Sequence, residues 1–172
     1  MALTHTLISS TVISSSPPMT VTLSDIPQTY TDLVLVGSVR DIAEMQTILG
    51  LSARINGANT GYFWTNIRGT GSASFTSTSD GSYAEIGSLL ASSATANTFT
   101  SFELYFPSYA TAQSKPFSMF SSSVNTNSAN GLFTFISSNR NTSTSAMSSI
   151  TFYSTSGFAI GSSFYLYGIK NS

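Results

Sequence analysis

Apolar and polar residues alternate with a period of two along most of the chain, whereas helical spacing is rare. Val21 and Leu23 share one face with Met19, while Thr20 and Thr22 share the other. This pattern predicts about ten β-strands, the first of which begins at about residue 5. The other predicted strands are Met19–Leu23, Leu33–Val39, Leu49–Ile55, Gly61–Arg68, Tyr83–Leu90, Phe99–Phe106, Phe117–Val124, Leu132–Ser137, Ile150–Tyr153 and Phe164–Ile169.

Short turn-forming sequences separate these strands. Asn56-Gly57, Gly69-Thr70-Gly71 and Asp80-Gly81 each combine residues that adopt tight turns. Only Asp41–Thr47 has the composition of a helix, and that helix would be short. Strands of this length and spacing predict one all-β domain over residues 1–172, a β-sandwich of jelly-roll type.

The chain is poor in charge, which excludes several classes of function. Of its 172 residues only 8% are charged, and six Lys and Arg against seven Asp and Glu leave a net charge of −1. So few cations exclude an electrostatic nucleic-acid surface. Zero cysteines exclude disulfides and thiolate metal sites. The apolar runs fall well short of the roughly 20 residues of a membrane-spanning helix, so no membrane insertion is expected.

The polar composition also bears on self-association. About a third of the chain is Ser or Thr, and these residues can simply reflect strand propensity. The alternative is that symmetric copies cover the strand edges, because the chain has only two lysines to protect them. We favour this second interpretation and expect a homo-oligomer, most simply a homotrimer.

Candidate chemistry is sparse. His5 is the single histidine, and the sequence contains neither a Gly-x-Ser-x-Gly nor a His-Glu-x-x-His motif. Glu85 and Glu103 lie in two predicted strands and could face each other as a glycosidase pair, although solvent-facing or arginine-paired carboxylates are commoner there. We therefore predict no catalytic residue, no metal and no cofactor.

The candidate binding residues are aromatic or cationic. The loop Asn56–Gly61 precedes Tyr62-Phe63-Trp64, so Tyr62 or Trp64 is a candidate contact to a sugar ring or a protein pocket. The structural interpretation is a hairpin loop with Phe63 in the core. The remaining candidates are three arginines, each able to pair with a carboxylate within or between subunits: Arg40, Arg54 and Arg68.

Four stretches, in the same order along the chain, resemble one family. They are Ile26–Leu35 (IPQTYTDLVL), Arg54–Gly57 with Gly61-Tyr62, Ala94–Phe99 (ATANTF) and Phe164–Lys170 (FYLYGIK). Together they resemble small virion structural proteins of tailed bacteriophages. The chain departs from that pattern at Ala58-Asn59, where family members often carry an acidic residue.

The resemblance implies a non-enzymatic β-sandwich component of a virus particle, made in the host cytoplasm. One placement is a capsid decoration (cement) protein, a homotrimer on the outer surface of the head that binds the major capsid protein. The other is a tail-fibre or receptor-binding protein that recognises a host surface glycan. The lack of heptads for a stalk favours decoration. A third hypothesis is that the chain is a non-viral carbohydrate-binding module.

Overall fold

The computed structural model describes residues 5–44, 48–125 and 131–170. Within these residues the chain forms twelve strands and no helix. The strands are β1 (His5–Val12), β2 (Thr20–Leu23), β3 (Asp32–Val39), β4 (Ile48–Ile55), β5 (Tyr62–Thr70), β6 (Ser74–Gly81), β7 (Ala84–Leu90), β8 (Thr100–Phe106), β9 (Lys115–Val124), β10 (Leu132–Asn141), β11 (Ile150–Tyr153) and β12 (Ser163–Ile169).

The strands form two sheets of unequal width. The wide sheet has eight strands in the order β1-β12-β3-β8-β9-β10-β5-β6, and the narrow sheet has four in the order β2-β11-β4-β7. Neighbouring strands are antiparallel in both sheets. The predicted all-β sandwich is confirmed, whereas the jelly-roll connectivity stays a prediction.

The core lies between the two sheets and is built from the alternation seen in the sequence. In β8, Phe102, Leu104 and Phe106 are buried, as expected for one face of a strand. An aromatic cluster joins the sheets: the Phe152 ring centroid lies 5.7 Å from that of Phe102 and 5.0 Å from that of Phe164. Tilted ring pairs at these distances add to the stabilisation from burial alone.

The narrow sheet covers only part of the wide one. Its edge strand, β7, packs over β9 and β10, so the interior face of β5 and β6 extends beyond it. Every residue of β6 is exposed. The sandwich is therefore closed at β1 and β2 but open at the β5–β6 end.

Two turn predictions are wrong. The loop Asn56–Gly61 is not a hairpin, because β4 belongs to the narrow sheet and β5 to the wide one, so the loop crosses between sheets. Asp80-Gly81 ends β6 and pairs with the start of β5. The strand β6 was not predicted, because an exposed strand of Ser and Thr has no alternating pattern to detect.

The predicted short helix Asp41–Thr47 is not seen where the chain is described. Asp41 forms an isolated β-bridge with Phe158, and residues 42–44 form a loop ending in a turn. Residues 45–47 lie outside the described residues.

The motif residues behind the family resemblance hold the fold together. Asp32 accepts hydrogen bonds from the Tyr105 hydroxyl and the Ser108 amide, both at 2.8 Å, which fixes the turn after β8. Asn56, at a φ of 51°, accepts from the backbone amides of Ser148 and Ser149 at 2.8 and 3.1 Å. These motifs therefore explain local structure more directly than they indicate a surface site.

Gly168 of the C-terminal motif leaves room for the ring of Tyr30 in the first motif. A Cβ added at Gly168 would lie 2.3–2.5 Å from three carbon atoms of that ring. We predict that Gly168→Ala lowers the free energy of unfolding by about 1–3 kcal/mol, because a well-packed site cannot absorb an extra methyl group. Urea denaturation measures the change.

Gly50→Ala is the matched control, since no atom lies within 4 Å of a Cβ built there. It should change stability by less than about 0.5 kcal/mol. The double variant Gly168→Ala with Tyr30→Ala should cost less than the sum of its single variants. Additive costs would show that the ring and the glycine are not coupled.

Candidate functional site

The predicted aromatic pair occupies the interior side of the wide sheet. Tyr62 is 1% exposed, and its hydroxyl accepts a hydrogen bond from the Ile55 amide at 2.7 Å. Trp64 is half-buried on the same face of β5. Phe63, expected in the core, is instead 41% exposed on the outer face. The prediction of Tyr62 as a contact residue is wrong, because β5 places Tyr62, and not Phe63, on the face that packs in the core.

Arg40 is also buried, at 8% exposure, and the prediction that it contacts a partner is wrong. One terminal nitrogen of its guanidinium donates to the carbonyls of Thr95 and Thr98 at 2.7 and 2.8 Å. The other donates to Ala91 at 2.7 Å and Ala94 at 3.2 Å. Burial lowers the pKa of Arg40. The guanidinium therefore holds the loop that contains the ATANTF motif.

The neighbouring Asp41 is fully buried and organises a different loop. Its carboxylate accepts hydrogen bonds from the Ala43 amide at 2.5 Å, the Ser156 amide at 3.2 Å and the Ser154 hydroxyl. Although Arg40 and Asp41 are adjacent and oppositely charged, each hydrogen-bonds to groups of a different loop and not to the other.

Arg54, on β4, contacts residues on both sides of its strand. Its Nε donates to the Ser82 carbonyl at 2.9 Å, and its guanidinium lies 5.1 Å from the Tyr153 ring centroid. These contacts anchor the connection between β6 and β7, although the side chain stays half-exposed. A contact of Arg54 with a partner stays a prediction.

Arg68 lines a cleft between the two sheets. Its guanidinium lies 5.2 Å from the Phe75 ring centroid, on the interior face of the β5–β6 hairpin. Across the opening, burial raises the pKa of the Glu85 carboxyl, and the charge of Arg68 opposes that shift. Glu103 is exposed on β8 in the other sheet, so the two glutamates considered as a pair are not brought together.

We define the inter-sheet cleft as the cavity between β7 and the strands β5, β9 and β10. Its volume is about 220 Å³. Polar and aromatic side chains alternate across the wide sheet here: Arg68 lies between Phe75 and Phe135 on the neighbouring strands, and Ser121 pairs with Phe135. The lining side chains include Arg68, Phe75, Ser88, Ser121, Ser123, Phe133 and Phe135.

Gly87 sets how closely β7 approaches this cleft. Its φ is 128°, and a Cβ there would lie 2.7 Å from the Ser121 hydroxyl. A larger residue would therefore clash with β9 and would also strain the backbone. Further along β10 the interior stays polar, with Asn139 donating to Ser137 at 2.6 Å.

The outer face of the wide sheet carries an apolar surface that sequence reasoning did not identify. Directly paired across three strands, Phe120, Ile136 and Ile67 are each about half exposed. We call the whole set the outer band: Phe63, Ile67, Phe120, Val124, Leu132 and Ile136. The sequence hid this face because β9 and β10 also place aromatic and methionine side chains in the core.

Arg140 covers part of the outer band and was likewise missed. Its guanidinium lies 4.8 Å from the Phe63 ring centroid. Arg140 and Arg68 thus stack on phenylalanines on opposite faces of the same sheet, which makes them a matched pair for experiments.

Two further features are absent from the described part of the chain. No group of three or more His, Cys, Asp or Glu side chains is placed there to hold a metal ion. A helix long and apolar enough to cross a membrane is not found among those residues either.

Replacing Arg40 tests the role assigned to its guanidinium. We predict that Arg40→Met lowers the free energy of unfolding by about 3 kcal/mol, because several buried carbonyls lose their donor. Arg140→Met is the control and should cost less than about 1 kcal/mol, as an exposed cation–π contact does. Equal effects of the two variants in guanidinium denaturation would contradict this role.

The Glu85 carboxyl should make stability depend on pH. Its pKa is raised in the folded state, so stability is greatest below the ordinary glutamate value of about 4.3 and falls as pH rises through the raised pKa. We predict that Glu85→Gln is more stable than the parent at neutral pH and has a flatter profile above pH 4. Unfolding free energies from pH 4 to 8 measure this, and parallel profiles would contradict it.

No protein-family model matches the chain, and no curated protein or solved structure is significantly similar to it. Its function therefore has to be inferred from its own residues and geometry.

Proposed function

We propose that the chain is a non-enzymatic virion structural protein of a tailed bacteriophage. In this proposal it is a capsid decoration protein that binds the outer surface of the head as a homotrimer and stabilises the shell. The observation that carries the proposal is the outer band, in which Ile67, Ile136 and Phe120 form an exposed apolar row across three strands on the face of the wide sheet that points away from the core. The sequence resemblance to virion structural proteins supplies the placement.

The outer band suits contact with further copies of the chain. Burying apolar surface contributes about 25 cal/mol per Å², and the six side chains of the band are all exposed on one face. Few charges border the band: Glu103 pairs with Phe120, Asp80 pairs with Phe63, and Arg140 stacks on Phe63. A closed trimer that covered the band would place these three charges at the rim of the contact.

The exposed β5–β6 hairpin suits contact with the major capsid protein. The β6 sequence, SFTSTSDG, offers hydroxyls and a free strand edge, with neither lysine nor proline to block pairing. Neutral hydrogen bonds contribute about 1 kcal/mol each, and repetition over a symmetric lattice multiplies them. Binding through neutral groups should also tolerate moderate salt.

A second candidate function is receptor binding from the tail. The inter-sheet cleft favours it, because a cavity that combines aromatic rings, hydroxyls and a guanidinium can hold a glycan unit. Both functions require association without catalysis, and the number of copies in a particle separates them.

The decisive measurement is the copy number of the protein per purified particle, by quantitative mass spectrometry against the major capsid protein. Decoration predicts on the order of hundreds of copies, as icosahedral symmetry requires. Tens of copies or fewer would move the protein to the tail, and complete absence would contradict both placements.

The same measurement on variants tests the outer band. Ile136→Thr should weaken association roughly tenfold and so lower occupancy at subsaturating concentrations, since losing one buried isoleucine per contact costs about 1.5 kcal/mol. Ile160→Thr is the control, because Ile160 is 58% exposed but lies outside the band. Equal occupancy of both variants would show that the band is not the contact surface.

A further inference from the structure

We propose that the inter-sheet cleft is a binding site for one sugar ring, and that Arg68 selects sugars that carry a carboxylate. This inference does not depend on the decoration function, because the cleft opens between the sheets while the outer band lies on the opposite face.

The size and walls of the cleft fit a single ring. Its volume of about 220 Å³ lies below the roughly 300–1,000 Å³ of pockets that hold drug-sized ligands. A cavity of this size suits a single ring better than an extended chain of sugars. Phe75, Phe133 and Phe135 provide the flat apolar surface that the C–H face of a sugar requires.

The serine hydroxyls that line the cleft favour an occupant with several hydrogen-bonding groups. Ser121 and Ser123 are nearly fully buried, Ser88 is half-buried, and all three line the cavity. Their hydroxyls form no hydrogen bond with the described residues. An apolar occupant, such as a leucine or phenylalanine of another protein, would leave these hydroxyls unpaired at about 1–3 kcal/mol each. A sugar satisfies the hydroxyls and the aromatic walls together.

The Arg68 guanidinium adds the preference for a carboxylate. Stacking on Phe75 holds its plane in place, and its N–H groups form no hydrogen bond with the described residues. A planar guanidinium with free N–H groups binds a carboxylate through two parallel hydrogen bonds. Glu85 is the one acidic group that faces Arg68 from β7; burial raises the pKa of its carboxyl and the charge of Arg68 opposes that shift.

The test is binding of four free sugars to the full chain, by saturation-transfer NMR and calorimetry. The probes are D-glucuronate, N-acetylneuraminate, D-glucose and D-galactose. We expect saturable binding in the millimolar range, with the carboxylated sugars bound more tightly. Arg68→Met should weaken binding of the carboxylated sugars at least tenfold, since both charge-assisted hydrogen bonds to the carboxylate are lost, and Arg140→Met should leave it unchanged.

Two further variants protect the test from a folding defect. Arg68 is exposed, so Arg68→Met should keep the parent unfolding midpoint. Ser121→Ala removes one hydroxyl without adding volume and should weaken all four sugars. Ser88→Leu should fill the cleft and abolish binding.

Three outcomes would overturn the proposal. One is the absence of saturable binding by all four sugars. Another is an equal effect of Arg68→Met and Arg140→Met, and the third is unchanged binding to Ser88→Leu. Preference for the neutral sugars would overturn the role given to Arg68. Each result is independent of copy number in a particle, so failure here leaves the decoration proposal standing.

Discussion

The mismatch between an eight-stranded and a four-stranded sheet governs the rest of this structure. A sheet must cover its apolar face, and here the narrow sheet ends at β7. On β9 and β10, which lie under this edge strand, the interior face mixes phenylalanine and methionine with serine and asparagine. The cleft, the polar interior strip and the fully exposed β6 all follow from this one limit.

A second constraint is the scarcity of charge. The few buried ions are bound to backbone groups instead of to each other. Arg40 holds the carbonyls of one loop, and Asp41 holds the amides of another. Lys115, 1% exposed, likewise donates to the carbonyls of Thr111, at 2.6 Å, and Gln113. A buried charge satisfied by fixed dipoles orders a loop strongly, because each donor must have an acceptor. Charges used in this way cannot serve the surface, which stays nearly neutral.

The sequence was sufficient to predict strands whose alternate residues are buried in the core. It was insufficient to predict strands that do not contact the core. Ile150–Tyr153 has the predicted bounds, and β8 differs by a single residue. The strand β6 escaped because no residue in it is buried. The inward-facing side of β5 was also predicted wrongly, because three consecutive aromatic residues do not show which ring faces the core. Tyr62 was therefore taken for a contact residue and Phe63 for a core residue.

The candidate site shows the same division. The sequence predicted that Arg68 could pair with a carboxylate, but Phe75 and Glu85 reach it only through the pairing of β5 with β6 and the packing of β7. Arg40 was wrongly predicted to contact a partner because its hydrogen-bond acceptors are backbone carbonyls. Every residue carries one, so no sequence pattern identifies them. Cavities formed by the meeting of distant strands are similarly invisible before the fold is known.

The open edges of the wide sheet also limit how copies of the protein can assemble. The edge strands β1 and β6 differ, so joining β6 of one molecule to β1 of the next would be a head-to-tail contact. Adjacent strands rotate by about 20–25°, so eight of them turn the sheet by roughly half a revolution. Successive copies added in this way would follow a helical ribbon and never return to the first molecule. A ring of defined size must therefore form through the faces of the sandwich, and edge-to-edge growth is the route by which the same chain would polymerise into fibres.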